Sequence, residues 1–204
     1  MFLVTGDSVT HTEDHWARRS HWAGGRRQLT FHLVFDGTGM AHATAPVRHA
    51  IDGVEALDAV PPPWLHLTLT PIGFTDEVDP DAAAAVAAHV FEGVAPTGSL
   101  SFDTVLLGSE GVLLPPQRAD WLDALVQRQR DAVDRHLGAR EWGAFHPHVS
   151  LAYANRAAPI TDVAGALADP AREASGVEVR PTLAHLEQTC ADHLYSWRVL
   201  RTTG

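Results

Sequence analysis

The stretch LTFHLVF, residues 29–35, places apolar side chains at every second position, the rhythm of a half-buried strand. In APVRHAIDGVEALDAV, residues 45–60, the apolar positions Val47, Ile51, Val54 and Leu57 fall at helical spacing, and Pro46 suits a first helical turn. The PPP at 61–63 ends that helix, and WLHLTLTPIGF, 64–74, returns to strand alternation. DPDAAAAVAAHVFEGV, 79–94, predicts a helix with acidic residues at its start and a glycine near its end. SLSFDTVLLG (99–108) and GVLLP (111–115) predict two strands about an SEG turn. In PQRADWLDALVQRQRDAVDRHLG, 116–138, Trp121, Leu122, Leu125, Val126, Ala132, Val133 and Leu137 make one stripe, and Gly138 closes the helix. FHPHVSLAYAN (145–155) is again a strand. A short helix in ITDVAGALADP (160–170) and two long strands, GVEVRPTLAHLEQT (176–189) and HLYSWRVLRT (193–202), complete the pattern around an Ala191–Asp192 turn.

Each half therefore runs strand, helix, strand, helix, strand. This order suggests a duplicated lobe in an α+β protein. The expected organisation is an N-terminal arm over 1–28, mixing His, Trp and Arg around Gly24 and Gly25, and one bilobal domain over 29–204 with lobes at roughly 29–108 and 109–204.

Composition narrows the functions. A formal charge of −10 argues against a protein that coats nucleic acid by neutralising phosphates, so no DNA partner is expected, while a small anionic ligand or an RNA end remains open. All 15 basic residues are arginine, which excludes lysine nucleophiles, Schiff bases and a Walker lysine. The single cysteine, Cys190, forms no internal disulfide. With no signal-peptide pattern at the start and no run approaching the ~20 apolar residues of a membrane span, a cytoplasmic, membrane-free monomer is expected.

Among 13 histidines, two stand in matching places: HLTL at 66–69 and HVSL at 148–151. Alternation puts His66 and Thr68 on one strand face and Leu67 and Leu69 on the other, and divides His148 and Ser150 from Val149 and Leu151 in the same way. Two such strands across a cleft gather two imidazoles and two hydroxyls. That set suits a phosphodiester: one imidazole takes a proton from the attacking oxygen, the other gives one to the leaving oxygen, and the hydroxyls donate to non-bridging oxygens. A single H-x-[ST] is more often a structural histidine, but two copies in corresponding strands are not easily accidental. The chemical rival is a metal site, since His146 and His148 lie two apart, yet Asp, Glu or Cys at matching spacing is lacking and no metal or other cofactor is expected. His11, His15 and His21 read as a solvated stretch of the arm, and His89, His136, His185 and His193 as surface or satisfied core residues.

The paired motifs (His66 with Thr68, His148 with Ser150) resemble those of the two-histidine (2H) phosphoesterases, which include bacterial RNA 2′,3′-cyclic phosphodiesterases, long called 2′-5′ RNA ligases. The resemblance spans about residues 29–201 and implies an α+β fold of two similar lobes, with antiparallel sheets and outer helices around a central cleft. It implies a metal-free enzyme that opens a cyclic phosphodiester or splits a 2′-5′ linkage, with His66 and His148 catalytic and Thr68 and Ser150 holding the phosphate. Many RNA-acting members carry a basic residue directly after the second motif; here AYAN follows and Arg156 comes next, which favours a nucleotide or short RNA 3′ end. Tyr153, Phe74, Trp22 and Tyr195 are candidate base-stacking residues, His32 a candidate support for the motif strands, and Arg26 and Arg27 candidates to close over the phosphate. Two other readings remain open: a phosphoesterase or transferase working on a small metabolite, and a cleft that binds a nucleotide or RNA end without turnover.

Overall fold

The computed structural model describes residues 1–36, 38–95 and 97–203. Its strands are β1 (Phe2–Thr5), β2 (Gln28–Val34), β3 (Leu57–Ala59), β4 (His66–Phe74), β5 (Leu100–Phe102), β6 (Thr104–Gly108), β7 (Gly111–Leu114), β8 (Val149–Ala154), β9 (Val177–Val179), β10 (Thr182–Ala191) and β11 (Leu194–Thr202). The helices are α1 (Thr38–Ala43), α2 (Ala45–Ile51), α3 (Pro80–Phe91), α4 (Asp120–Leu137) and α5 (Ile160–Glu173). The fold is α+β, and its main sheet is dominated by antiparallel pairs.

The main sheet runs β1-β6-β7-β8-β4-β2-β10-β11, with β3 also pairing β8, while β5 and β9 form a separate ribbon. The order cuts across the expected lobes at 29–108 and 109–204. The C-terminal hairpin β10–β11 joins β2 and β4, and β6, from the first half of the chain, joins β7 and β8. Nor is the arm 1–28 separate from the sheet, because β1 pairs in parallel with β6.

One row of side chains fixes the orientation of the central strands. Leu183, Leu33, Leu67, Val149 and Leu114 are successive register partners across β10, β2, β4, β8 and β7, and all are fully buried. On the helical side, α3 presents Ala83, Val86 and Val90 and packs on α4, while α5 packs on α2 and β1. The Asp79 carboxylate caps α3 by accepting from the Ala82 amide at 2.9 Å. At the other end of α3, the Arg128 guanidinium of α4 donates to the carbonyls of His89 and Val90.

Local breaks explain where sequence rhythm and structure differ. The helix expected over 45–60 ends at Ile51, before Asp52–Gly53, and its tail becomes β3, while α1 precedes it without a periodic pattern long enough to read. The strand expected over 99–108 divides at Asp103 into β5 and β6, and that over 176–189 divides at Arg180–Pro181 into β9 and β10. The two detached pieces then pair with each other. Among the described residues no helix is long and apolar enough to cross a membrane.

A bulge in β8 has the largest consequence. Leu113 pairs with Ser150 but Val112 pairs with Ala152, so Leu151 is an extra residue and the side-chain alternation reverses after it. Tyr153, which strict alternation would place opposite Ser150, is thereby turned to the same face. Gly111 lies across from Tyr153 with φ +152°, and a Cβ there would collide with the Ala152 carbonyl. Gly111→Ala is expected to cost about 2 kcal/mol or more of stability, read by urea denaturation; an unchanged midpoint would contradict this account of the bulge.

Candidate active site

Strands β4 and β8 meet in register at one pair, Leu67 with Val149, and each of these is the middle residue of its H-x-[ST] motif. Because both side chains enter the core, the flanking residues must point the other way. Antiparallel direction then sets His66 towards Ser150 and Thr68 towards His148. Each imidazole faces the hydroxyl of the other motif, about a local two-fold axis. One couple is sunk, with His66 and Ser150 each 6% exposed, while His148 is half-buried and Thr68 exposed, so the cleft has a deep and an open side.

The two rings are held alike. His66 Nδ1–H donates to the Trp64 carbonyl at 2.8 Å, and His148 Nδ1–H donates to the His146 carbonyl at 2.8 Å. A carbonyl can only accept, so the proton sits on Nδ1 in the neutral ring and Nε2 is left free for chemistry. His146 thus contributes its backbone oxygen, and its side chain is exposed. Among the described residues, no three His, Cys, Asp or Glu side chains are gathered to hold a metal ion.

Burial, opposed in part by the Trp64 carbonyl and reinforced by His148, lowers the His66 pKa from 6.5 to about 4. His66 is therefore neutral at pH 7. His32, the register partner of Thr68, stacks on His66 with centroids 4.4 Å apart and rings 10° from parallel. It is fully buried, neither of its nitrogens has a protein partner among the described residues, and burial keeps its pKa well below the ordinary value. Trp197 presents a third ring at 4.8 Å from His66. His32 therefore lies behind the catalytic candidate rather than beside a ligand.

A cleft of about 290 Å³ contains His66, Thr68, His148 and Ser150 together, with Tyr153, Tyr195 and Trp22 on its walls. The remaining lining residues are Gln28, Gln188, His15, Arg19 and His21, the last three from the arm. Phe74 stands behind the wall, edge-to-face with Trp22 at 5.0 Å. Arg27, just before β2, is not among the residues that line the cleft: it is exposed and pairs with Glu187 at 3.2 Å. Arg26 pairs with Asp76 at 2.8 Å and lies over the Phe74 ring.

The arm is not a solvated stretch. His15 is 7% exposed: its Nδ1–H donates to Glu110 at 2.8 Å, its Nε2 accepts from the Tyr195 hydroxyl at 3.1 Å, and it stacks on Tyr153 at 4.4 Å. Burial, and next Arg19, lower its pKa to about 4. His15, Arg19 and His21 are the lining residues that sequence reasoning missed. Spacing within the arm carries no sign of them, since their partners lie near residues 110, 153 and 195. His185 is likewise buried on the sheet, its Nε2 without a protein partner among the described residues, and burial together with Arg201 lowers it to about 4. A larger, more open groove of about 840 Å³ lies elsewhere, but Asp52, Asp58 and Asp192 line it and disfavour a phosphate.

Paired imidazoles and hydroxyls on a split antiparallel sheet define a cleft of the two-histidine phosphoesterase kind. The family model of the 2′-5′ RNA ligase superfamily matches residues 42–187, and the chain belongs to that superfamily. Among solved structures, Escherichia coli LigT in its apo form is similar at 16% identity and TM-score 0.59, covering 88% of this chain and 98% of LigT. LigT complexed with 3′-AMP gives 18% identity and TM-score 0.62 over 87% and 97% of the two chains. A conserved protein of unknown function from Agrobacterium tumefaciens gives 14% identity and TM-score 0.62 over 86% and 85%. No curated protein matches the sequence.

The buried histidines make stability depend on pH. Unfolded, His66 takes up a proton below about 6.5, but in the folded chain only near 4, so acid favours the unfolded state. Its contribution is complete above 6.5 and is lost as pH falls through about 4. The urea midpoint is expected to fall between pH 7 and pH 5, and to fall less in His66→Gln. An equal fall in both proteins would contradict the burial of a neutral His66.

Proposed function

We propose that this protein opens 2′,3′-cyclic phosphates of nucleotides or short RNA 3′ ends by metal-independent acid–base catalysis, with 2′-5′ ligation as the same ring opening by a 5′-hydroxyl in place of water. The observation that carries the reading is the paired release of His66 Nε2 and His148 Nε2, each ring fixed through Nδ1 and each set against a hydroxyl of the other motif. In hydrolysis a water oxygen attacks phosphorus in line with the bond to one ribose oxygen. A neutral imidazole takes the water proton, and a protonated imidazole gives its proton to that ribose oxygen as the bond breaks. The product is a phosphomonoester beside a free hydroxyl. In the reverse direction the two rings exchange roles.

Thr68 and Ser150 donate to the non-bridging oxygens, whose charge grows as the attacking oxygen approaches. A bound phosphodiester anion also offsets the desolvation that keeps His66 neutral, and so favours the imidazolium form in the complex. The substrate's size follows from the cleft: at about 290 Å³, closed on one side by the arm, it suits a nucleotide or a chain end. The acidic net charge of −10 agrees with a ligand of few phosphates.

With adenosine 2′,3′-cyclic monophosphate in EDTA, His66→Ala and His148→Ala are each expected to lose roughly 10²–10⁴-fold in kcat. Thr68→Ala and Ser150→Ala are expected to lose roughly 10–10³-fold. Turnover that disappears with EDTA and returns with zinc, or that persists in both histidine variants, would sink the proposal.

A further inference from the structure

Among the described residues that line the cleft Arg19 is the one arginine, and its environment shows how it is held there. Tyr153 covers one face of His15, Glu110 takes the in-plane direction of Nδ1, and the Tyr195 hydroxyl takes that of Nε2. Arg19 Nη2 lies 3.2 Å from both ring nitrogens. With both in-plane directions occupied, this equal separation puts the guanidinium over the remaining face of the imidazole. Tyr153, His15 and Arg19 therefore form a three-layer stack, with Tyr153 and Arg19 on opposite faces of the imidazole. The same Nη2 reaches Glu110 at 3.3 Å, and Nη1 makes no hydrogen bond to protein among the described residues.

We propose that Arg19 forms a second anion subsite in the cleft, one that binds a further phosphate on a nucleotide whose reacting phosphate sits between Thr68 and Ser150. The inference rests on the reading of that site given above. Tyr153 neighbours Ser150, whereas Arg19 is separated from Tyr153 by the His15 ring. A guanidinium there meets a different part of the ligand. Gln28 and Gln188, register partners on β2 and β10, add their amides to the lining. Glu110 is the opposing charge, and it is shared by His15, Arg19 and Arg18, the last at 4.0 Å. Because His15 is neutral, Arg19 is the permanent positive charge of the lining. A guanidinium–phosphate contact through Nη1 is a charge-assisted pair, stronger than a neutral hydrogen bond.

The test is calorimetric, using adenosine 3′-monophosphate and adenosine 3′,5′-bisphosphate as probes that differ in one phosphate. The wild-type protein is expected to bind the bisphosphate about tenfold or more tightly than the monophosphate, and Arg19→Gln to erase that preference. Arg18→Gln, which alters an exposed partner of the same carboxylate, is expected to keep the preference, and Arg19→Lys to restore part of it. Melting curves establish that each variant is folded. Equal affinity for both probes in the wild type would overturn the subsite, and so would an equal loss for both probes in folded Arg19→Gln, which would place Arg19 on the reacting phosphate. Hydrolysis assays separate this from the parent reading: a cyclic phosphate left intact by the wild type defeats the phosphodiesterase, while the affinity ratio still decides the subsite.

Discussion

The buried row Leu183–Leu33–Leu67–Val149–Leu114 is the constraint on which the site depends. Burying five aliphatic side chains is worth roughly 1.5–3 kcal/mol each, and a slip of one residue in β4 or β8 would turn its member out to water. The same slip would turn the histidine and hydroxyl of that motif into the core. Stability and chemistry thus share one register, and the residue between histidine and hydroxyl in each motif is the one that sets it. The row also explains the pseudo-symmetry: two strands that touch at the middle of matching triplets present those triplets about a two-fold axis.

Around that centre, irregularity completes the cleft. The Leu151 bulge reverses alternation and brings Tyr153 to the catalytic face, where His15 stacks on it. The arm then adds a wall that the symmetric sheet lacks. The two halves of the site are accordingly unequal: His66 and Ser150 lie deep, beside His32 and Trp197, while His148 and Thr68 lie towards solvent. Equal chemistry at the ring nitrogens is combined with unequal solvation.

The α+β class, the motif strands, α3 and α4 were legible because each rests on local periodicity reinforced by caps and breakers. His66, Thr68, His148 and Ser150 were legible because the motif repeats and strand alternation is short-range. The arm's role was not, since His15 and Arg19 act through Glu110, Tyr153 and Tyr195, and no local pattern encodes such contacts. Arg26 and Arg27 were the nearer arginines in sequence to the first strand, but carboxylates at 76 and 187 hold them outside the cleft. Tyr153, a base-stacking candidate from the sequence, lines the cleft although strict alternation would have faced it away; the bulge that turns it lies in the pairing with β7, outside the reach of a single strand's sequence. The division of the strands between the two sides of the sheet escaped for a similar reason: β10 and β11 follow β8 in the chain but find their partner in β2.

The proposed chemistry requires that two histidines divide the proton work in one cleft. Its most direct test is kcat/KM for adenosine 2′,3′-cyclic monophosphate as a function of pH, in EDTA, because this ratio reports the groups that must be protonated and deprotonated in the free enzyme. The account predicts a bell with both limbs present, one for the imidazole that accepts and one for the imidazole that donates. A flat profile, or a single limb across the stable range of the fold, would contradict it.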